Sequence, residues 1–204
     1  MVLSVYELKI LFNKCVTDLN YLPILLSLSL GLRRGEVLGL KWSDFDFEKK
    51  TLHIQRTATP KNGGYDFSPC KTQDSNRIIC LPEPVIDSLK SWQSEQSICY
   101  QTSKNFNPEN FVFFLPNGQI ISASGLNKRF KALLKECNLP DIRFHDLRHS
   151  WATMMLSLNI PTKIASSILG HSNVTTTLNI YSHILTDMQK PAIDVLNSVF
   201  TVTK

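Results

Sequence analysis

Gly31-Leu32-Arg33-Arg34-Gly35-Glu36-Val37-Leu38-Gly39-Leu40-Lys41-Trp42-Ser43-Asp44-Phe45-Asp46 separates two kinds of sequence pattern. In front of it, Tyr21 to Leu32 is apolar nearly all round, as in a helix buried on every side. Asn20 reads as the cap of that helix, and Pro23 is tolerated in its first turn. Further upstream, Ser4 and Glu7 form a capping-box pattern, and Leu8, Leu11, Phe12 and Cys15 share one helical face. Gly31 breaks the buried helix and Arg33 emerges at its end. Glu36 to Leu40 makes another short helical turn. Behind it, Thr51 to Thr59 alternates, with Leu52, Ile54 and Arg56 on one face, and Asn62-Gly63-Gly64 is a hairpin signal. Tyr65 to Cys70 and Arg77 to Leu81 read as two further strands joined by the polar turn Thr72-Gln73-Asp74-Ser75-Asn76. The expected result is a three-stranded antiparallel sheet with Lys71 at the tip of its second hairpin.

From Pro82 onward the pattern is helical again. Val85, Ile86, Leu89 and Trp92 recur at helical spacing between Pro82 and Gln101. Phe111 to Leu115 is a short strand or extended run, and Asn117-Gly118 a turn. Ser124 to Asn138, Phe144 to Asn159, Thr162 to Leu169 and Thr175 to Tyr181 read as helices. Met188 to Phe200 is amphipathic. The fold class is therefore α+β, mainly α-helical, with one small antiparallel sheet.

At 204 residues and 43% hydrophobic, the chain can bury one sizeable core, and one large domain fits better than two small ones. A formal net charge of +5 is compatible with a polyanionic partner without identifying one. The five cysteines, Cys15, Cys70, Cys80, Cys99 and Cys137, are odd in number and form no Cys-x-x-Cys pair. With no secretory signal before them, they read as free thiols in a reducing compartment. Tyr21 to Leu32 is too short to span a bilayer. A soluble, cytoplasmic protein is expected.

One ordered set of residues suits a single task. Arg33 lies in Gly-Leu-Arg-Arg-Gly-Glu, Lys71 in Pro-Cys-Lys-Thr, His145 and Arg148 in His-Asp-Leu-Arg-His, His171 in Leu-Gly-His, and Tyr181 follows. A phosphodiester is an anion that repels nucleophiles, so its cleavage needs cationic donors on the oxygens that gather charge. Arginine stays protonated and offers a planar fork of donors. Arg148 follows His145 by three residues, which puts a cation and an imidazole side by side on one helix face. Taken singly, each element is commonplace: an arginine after a glycine is usually a surface residue, and a tyrosine at a helix end usually packs in the core. His145 and His149 could also ligate a metal with His171, although Arg148 between them opposes a cation. The combination in this order is far more specific than its parts.

The set resembles that of the tyrosine recombinases, the family of phage and conjugative-transposon integrases, over roughly Gly31 to His183. Gly31 to Asp46 resembles the family's first arginine box, with serine and leucine at positions 29 and 30 where threonine often precedes the glycine. Lys71-Thr72, Ser75-Asn76-Arg77 and Leu81-Pro82 resemble its β-hairpin lysine element. His145-Asp146-Leu147-Arg148-His149-Ser150 resembles the second box, and Leu169-Gly170-His171-Ser172, Thr176-Thr177 and Tyr181-Ser182-His183 the closing box.

The resemblance, together with the chemistry, implies roles. Tyr181 is the nucleophile, forming a 3′-phosphotyrosyl link. His145 is the general base, Arg33 and Arg148 clamp the phosphate, Lys71 is the general acid for the 5′-oxygen, and His171 hydrogen-bonds the phosphate. Glu36, one turn after Arg33, is a supporting partner. No cofactor or metal is implied. The implied partner is double-stranded DNA carrying recombination sites, with a monomer in solution, a homotetramer on DNA, and accessory DNA-bending or directionality proteins; no membrane is involved. Residues 1–204 are expected to form one catalytic domain, without the family's core-binding and arm-binding domains. The 185–204 tail is expected to pack in cis or on a neighbouring subunit. A chromosome-dimer resolvase, a type IB topoisomerase-like enzyme, a non-catalytic DNA-binding regulator and a metal-dependent phosphoesterase are the alternatives.

Overall fold

The computed structural model describes residues 2–61, 64–70, 72–102, 107, 109–115 and 119–170. Seven α-helices and five strands lie among them. Helix α1 (Val5–Thr17) begins with the expected capping box: the Ser4 hydroxyl accepts from the Glu7 amide, and the Glu7 carboxylate accepts from the Ser4 amide at 2.7 Å. Its buried face is Leu8, Leu11 and Cys15. Burial also pushes the Cys15 thiol well above its ordinary range, with Cys137 and Asp18 adding to the effect, so it stays protonated.

Helix α2 (Leu22–Leu30) is the apolar one, and all but one of its residues are buried. Asn20 does not cap it. Asp18 instead caps a 3₁₀ turn at Leu19–Tyr21, accepting from the Asn20 amide at 3.0 Å, and α2 follows directly. The Asp18 carboxylate reaches the amide two residues on, so the cap forms two residues earlier than the pattern suggested. Gly31 closes α2 in the left-handed region at φ 64°, where a Cβ would stand 2.7 Å from Leu169. The carbonyls at this helix end are taken up from α6 (Asp146–Ser157): Trp151 donates to Ser29 at 2.8 Å, and Arg148 donates to Gly31 at 2.7 Å.

The sheet differs from expectation in its pairing. Strands β1 (Phe45–Asp46), β2 (Thr51–Ile54) and β5 (Arg77–Cys80) form a three-stranded antiparallel sheet in the order β1-β2-β5. Strands β3 (Arg56–Lys61) and β4 (Gly64–Pro69) form a separate hairpin. The predicted strand 51–59 is thus interrupted at Gln55, and β4 and β5 both return along it without pairing with each other. Pro69 faces Arg56 and Arg77 faces Ile54, so β4 ends and β5 begins on either side of Gln55. Pro69 has no N–H to extend the ladder, and Cys70 spends its own on the Gln55 carbonyl. The predicted alternation survives: Leu52 and Ile54 are buried, and Arg56 on the same side pairs with the buried Asp44 at 2.5 Å.

Helices α4 (Glu83–Thr102) and α5 (Ala123–Glu136) complete one main core, which runs from Leu3 to Leu147. Between them, the expected extended run at Phe111 to Leu115 bends at Val112 and Phe113 and keeps only isolated bridges, from Lys41 to Phe111 and from Phe114 to Ile120. A smaller cluster joins α6 to α7 (Thr162–Leu169) through Trp151, Leu156, Ala165 and Leu169. No helix of the described residues is long and apolar enough to cross a membrane.

Candidate active site

The sequence at the end of α2 forces the chain out of the core and straight into α3 (Arg34–Leu38), with Arg33 at the N-cap. Glu36 then stands one turn away. Its carboxylate accepts from the Arg33 amide at 2.9 Å and from the Arg33 guanidinium at 2.8 Å. The same carboxylate receives both guanidinium nitrogens of Arg77 at 3.1 Å each, a fork-to-fork pair. Glu36 and Arg77 are almost wholly buried, whereas about a third of the Arg33 side chain, 36%, faces solvent. Burial by itself would raise the Glu36 carboxyl. The hydrogen bonds and charge of Arg77, with those of Arg33, outweigh it and hold the group below the usual carboxylate range.

Three arginines converge on the end of α7. Arg33 donates to Leu169 O at 3.5 Å and to Gly170 O at 3.3 Å. Arg148 donates to Leu169 O at 2.5 Å, and Arg77 Nε donates to Ile168 O. The last carbonyls of a helix have no partner within it and carry the negative end of its dipole, so cations collect there. Arg33 and Arg148 meet on one acceptor, Leu169 O, although 115 positions separate them in the chain.

His145 takes the N-cap position of α6 without a side-chain capping bond and is exposed to solvent beside this cluster. Its ring packs edge-on against that of His149, with centroids 4.8 Å apart. Loss of water on the packed side of the ring lowers its pKa below the ordinary 6.5, and His149, Arg148 and Arg33 lower it further against the pull of Asp146. His149 shifts the same way, through burial first, with Arg148 and Arg143 adding and Asp146 opposing. Both rings are therefore neutral near pH 7, and His145 can accept a proton there.

Of the residues picked from sequence, Arg33, Arg148, His145 and Glu36 come together. Lys71, His171 and Tyr181 lie outside the described residues, as do the expected helices at 175–181 and 188–200. Arg77, quoted only as part of a motif, proves to be a member of the cluster. A signal for it existed: Arg77 and Ile79 alternate on the inward face of β5, and a buried arginine demands an acid. Among the described residues, no group of three or more His, Cys, Asp or Glu side chains could hold a metal ion.

Glu36→Gln should cost about 3 kcal/mol in urea unfolding, because it strands the buried Arg77 guanidinium; a loss below about 1 kcal/mol would show that the charge is dispensable. The histidines give a pH effect of defined sign. Unfolded histidines bind protons near pH 6.5 and the folded ones only lower, so the unfolded state holds more protons between the two values. Stability should fall as the pH drops from about 7 to about 5.5, and the double variant His145→Gln/His149→Gln should flatten that slope in urea melts. An unchanged slope would contradict the lowered values.

Residues 5–188 match the phage integrase family. A XerC-like tyrosine recombinase of Caldanaerobacter subterraneus subsp. tengcongensis is 35% identical over 189 residues, covering 86% of this chain and 48% of that protein. The transposase of transposon Tn916 from Enterococcus faecalis is 29% identical over 185 residues, covering 87% and 45%. The chain spans about half the length of these curated relatives. Among solved structures, the Tn1549 transposon integrase in complex with transposon right-end DNA superimposes with a TM-score of 0.80 at 27% identity, covering 96% of this chain and 66% of that one. With an uninterrupted family match and a shared fold, the chain belongs to the phage integrase family of tyrosine recombinases.

Proposed function

We propose that this chain is the catalytic region of a site-specific DNA recombinase that integrates or excises a phage or conjugative transposon. The observation that carries the reading is the convergence of Arg33 and Arg148 on Leu169 O beside the neutral ring of His145. Two guanidiniums from distant boxes meet where one phosphate could bridge them, next to a group able to take a proton.

In the reaction proposed, the Tyr181 phenol oxygen attacks phosphorus and His145 takes its proton. The bond from phosphorus to the 5′-oxygen breaks, and Lys71 supplies the proton that makes a 5′-hydroxyl. Arg33 and Arg148 offset the charge that builds on the non-bridging oxygens, and His171 donates to one of them. A free phenol ionises near pH 10, so the two cations and the base are needed to reach the phenolate at neutral pH. Because the phosphotyrosyl ester retains the bond energy, the reverse attack by a 5′-hydroxyl reseals DNA without a cofactor or metal.

Double-stranded DNA is the partner this reading requires, and a DNA complex of the similar Tn1549 integrase supports it. The resemblance to the family further supports a cytoplasmic protein, monomeric in solution, that assembles as a homotetramer on two paired sites, with the 185–204 tail reaching a neighbour. A chromosome-dimer resolvase would use the same chemistry, and the 35% identity to a XerC-like recombinase favours it as the second reading.

Two variants test the chemistry. Tyr181→Phe should bind duplex DNA and form no denaturant-resistant adduct with 5′-bridging phosphorothiolate duplexes; an adduct in that variant would remove Tyr181 as the nucleophile. Lys71→Ala should cleave an ordinary duplex about a hundredfold more slowly than the native chain. It should recover on the phosphorothiolate, whose sulfur leaves without a proton. Failure to recover would overturn the general-acid role.

A further inference from the structure

Arg77 is the one buried cation of the cluster that the proposed chemistry leaves unused. It stands at the first position of β5, directly after 70–76, the stretch that carries Lys71. Every contact of its guanidinium ties that stretch to another part of the site. Nη1 donates to Ser75 O at 3.1 Å, within the stretch. Nη1 and Nη2 both donate to Glu36, which holds Arg33. Nε donates to Ile168 O, three residues before His171.

The fit around it is close. A Cβ on Gly170 would stand 2.8 Å from Arg77 Nη1 and 2.8 Å from the Asp74 carbonyl, so the end of α7 is seated directly against Arg77 and Asp74. The stretch is pinned at its ends as well. Cys70 donates its amide to Gln55 O, and Asn76 meets His53 at 2.6 Å. Thr72 and Ser75 share a hydroxyl contact of 2.8 Å, with the Ser75 and Asn76 amides both directed to Thr72 O. A buried Arg–Glu pair is a poor source of stability, since desolvation cancels much of the attraction. Its planar, two-point geometry is however a good way to fix relative position.

We propose that Arg77 is a positioning residue that locks the Lys71-bearing stretch to Glu36 and to the end of α7, and so sets the reach of Lys71 to the leaving 5′-oxygen. This inference rests on the general-acid role of Lys71 given above. Arg77 touches no substrate atom; it acts through the backbone of 70–76.

The test is single-turnover cleavage by the native chain and by Arg77→Lys on two matched pools of nicked suicide duplexes. One pool carries an ordinary 5′-oxygen at the scissile phosphate and the other a bridging 5′-sulfur. Lysine keeps a charge near Glu36 but cannot make the fork. If Arg77 positions the acid, the variant should lose about tenfold to a hundredfold on the oxygen pool and little on the sulfur pool. A merely structural role would lower both rates together, and equal losses would overturn the proposal. Gly170→Ala, which presses a methyl onto Arg77 Nη1 and Asp74 O from the opposite side, is read the same way and covers the case in which Arg77→Lys does not fold. Lys71→Ala serves as the control. Its failure to recover on sulfur would overturn the general-acid reading and this inference with it, whereas recovery together with equal losses in Arg77→Lys overturns this inference alone.

Discussion

The end of α7 presents unsatisfied carbonyls, and three guanidiniums answer them. That interaction brings the ends of α2 and α7 and the start of β5 to one place, and α6 with them through Arg148. Only Glu36, among the carboxylates of the described residues, pairs with Arg33 and Arg77 to offset the resulting charge. Like charges this close repel strongly in a medium less polarisable than water. The cluster is therefore short of negative charge, and an anion placed on the open edge of Arg33 would relieve it. Burial of Glu36, Arg77 and Arg148 leaves the partly exposed Arg33 as the arginine with most access to such an anion.

The same arrangement explains the histidines. A cationic neighbourhood and partial loss of water both oppose protonation of His145, so the ring is kept neutral next to the groups that would hold a phosphate. Positive charge thus does two jobs at once. It leaves the cluster open to an anion and lowers the proton affinity of the neighbouring ring. Asp146 pulls the other way on both rings, but much of its own charge is committed to Arg143, at 3.1 Å.

The architecture around the site is built from helix ends, and this is a consistent physical theme. α2 finishes at Gly31 and α7 at Gly170, both in the left-handed region, so each helix stops sharply with its carbonyls pointing into the site. Side chains from α6 satisfy the first set, and Arg33, Arg77 and Arg148 the second. Polar groups that would be costly to bury elsewhere are here one another's partners.

Much of this was legible in the sequence. The capping box at Ser4, the all-round apolar α2, the break at Gly31 and the helical spacing of α4 to α7 are local patterns, and local patterns follow from chain geometry alone. Arg33, His145 and Arg148, picked from sequence as residue types able to meet an anion or accept a proton near neutral pH, do come together in the structure. Strand pairing was not. Which partner β4 and β5 take depends on where Pro69 and Cys70 end a ladder, and a sequence shows the strands without their neighbours. The Asn20 cap failed for a related reason: Asp18, two residues earlier, competed for the same turn. The sequence by itself determined the local elements, since these depend on side-chain chemistry and short-range spacing. Only the tertiary structure decided that Arg77 joins Glu36, and that three arginines meet at one helix end, since those contacts span 21 to 137 positions of chain.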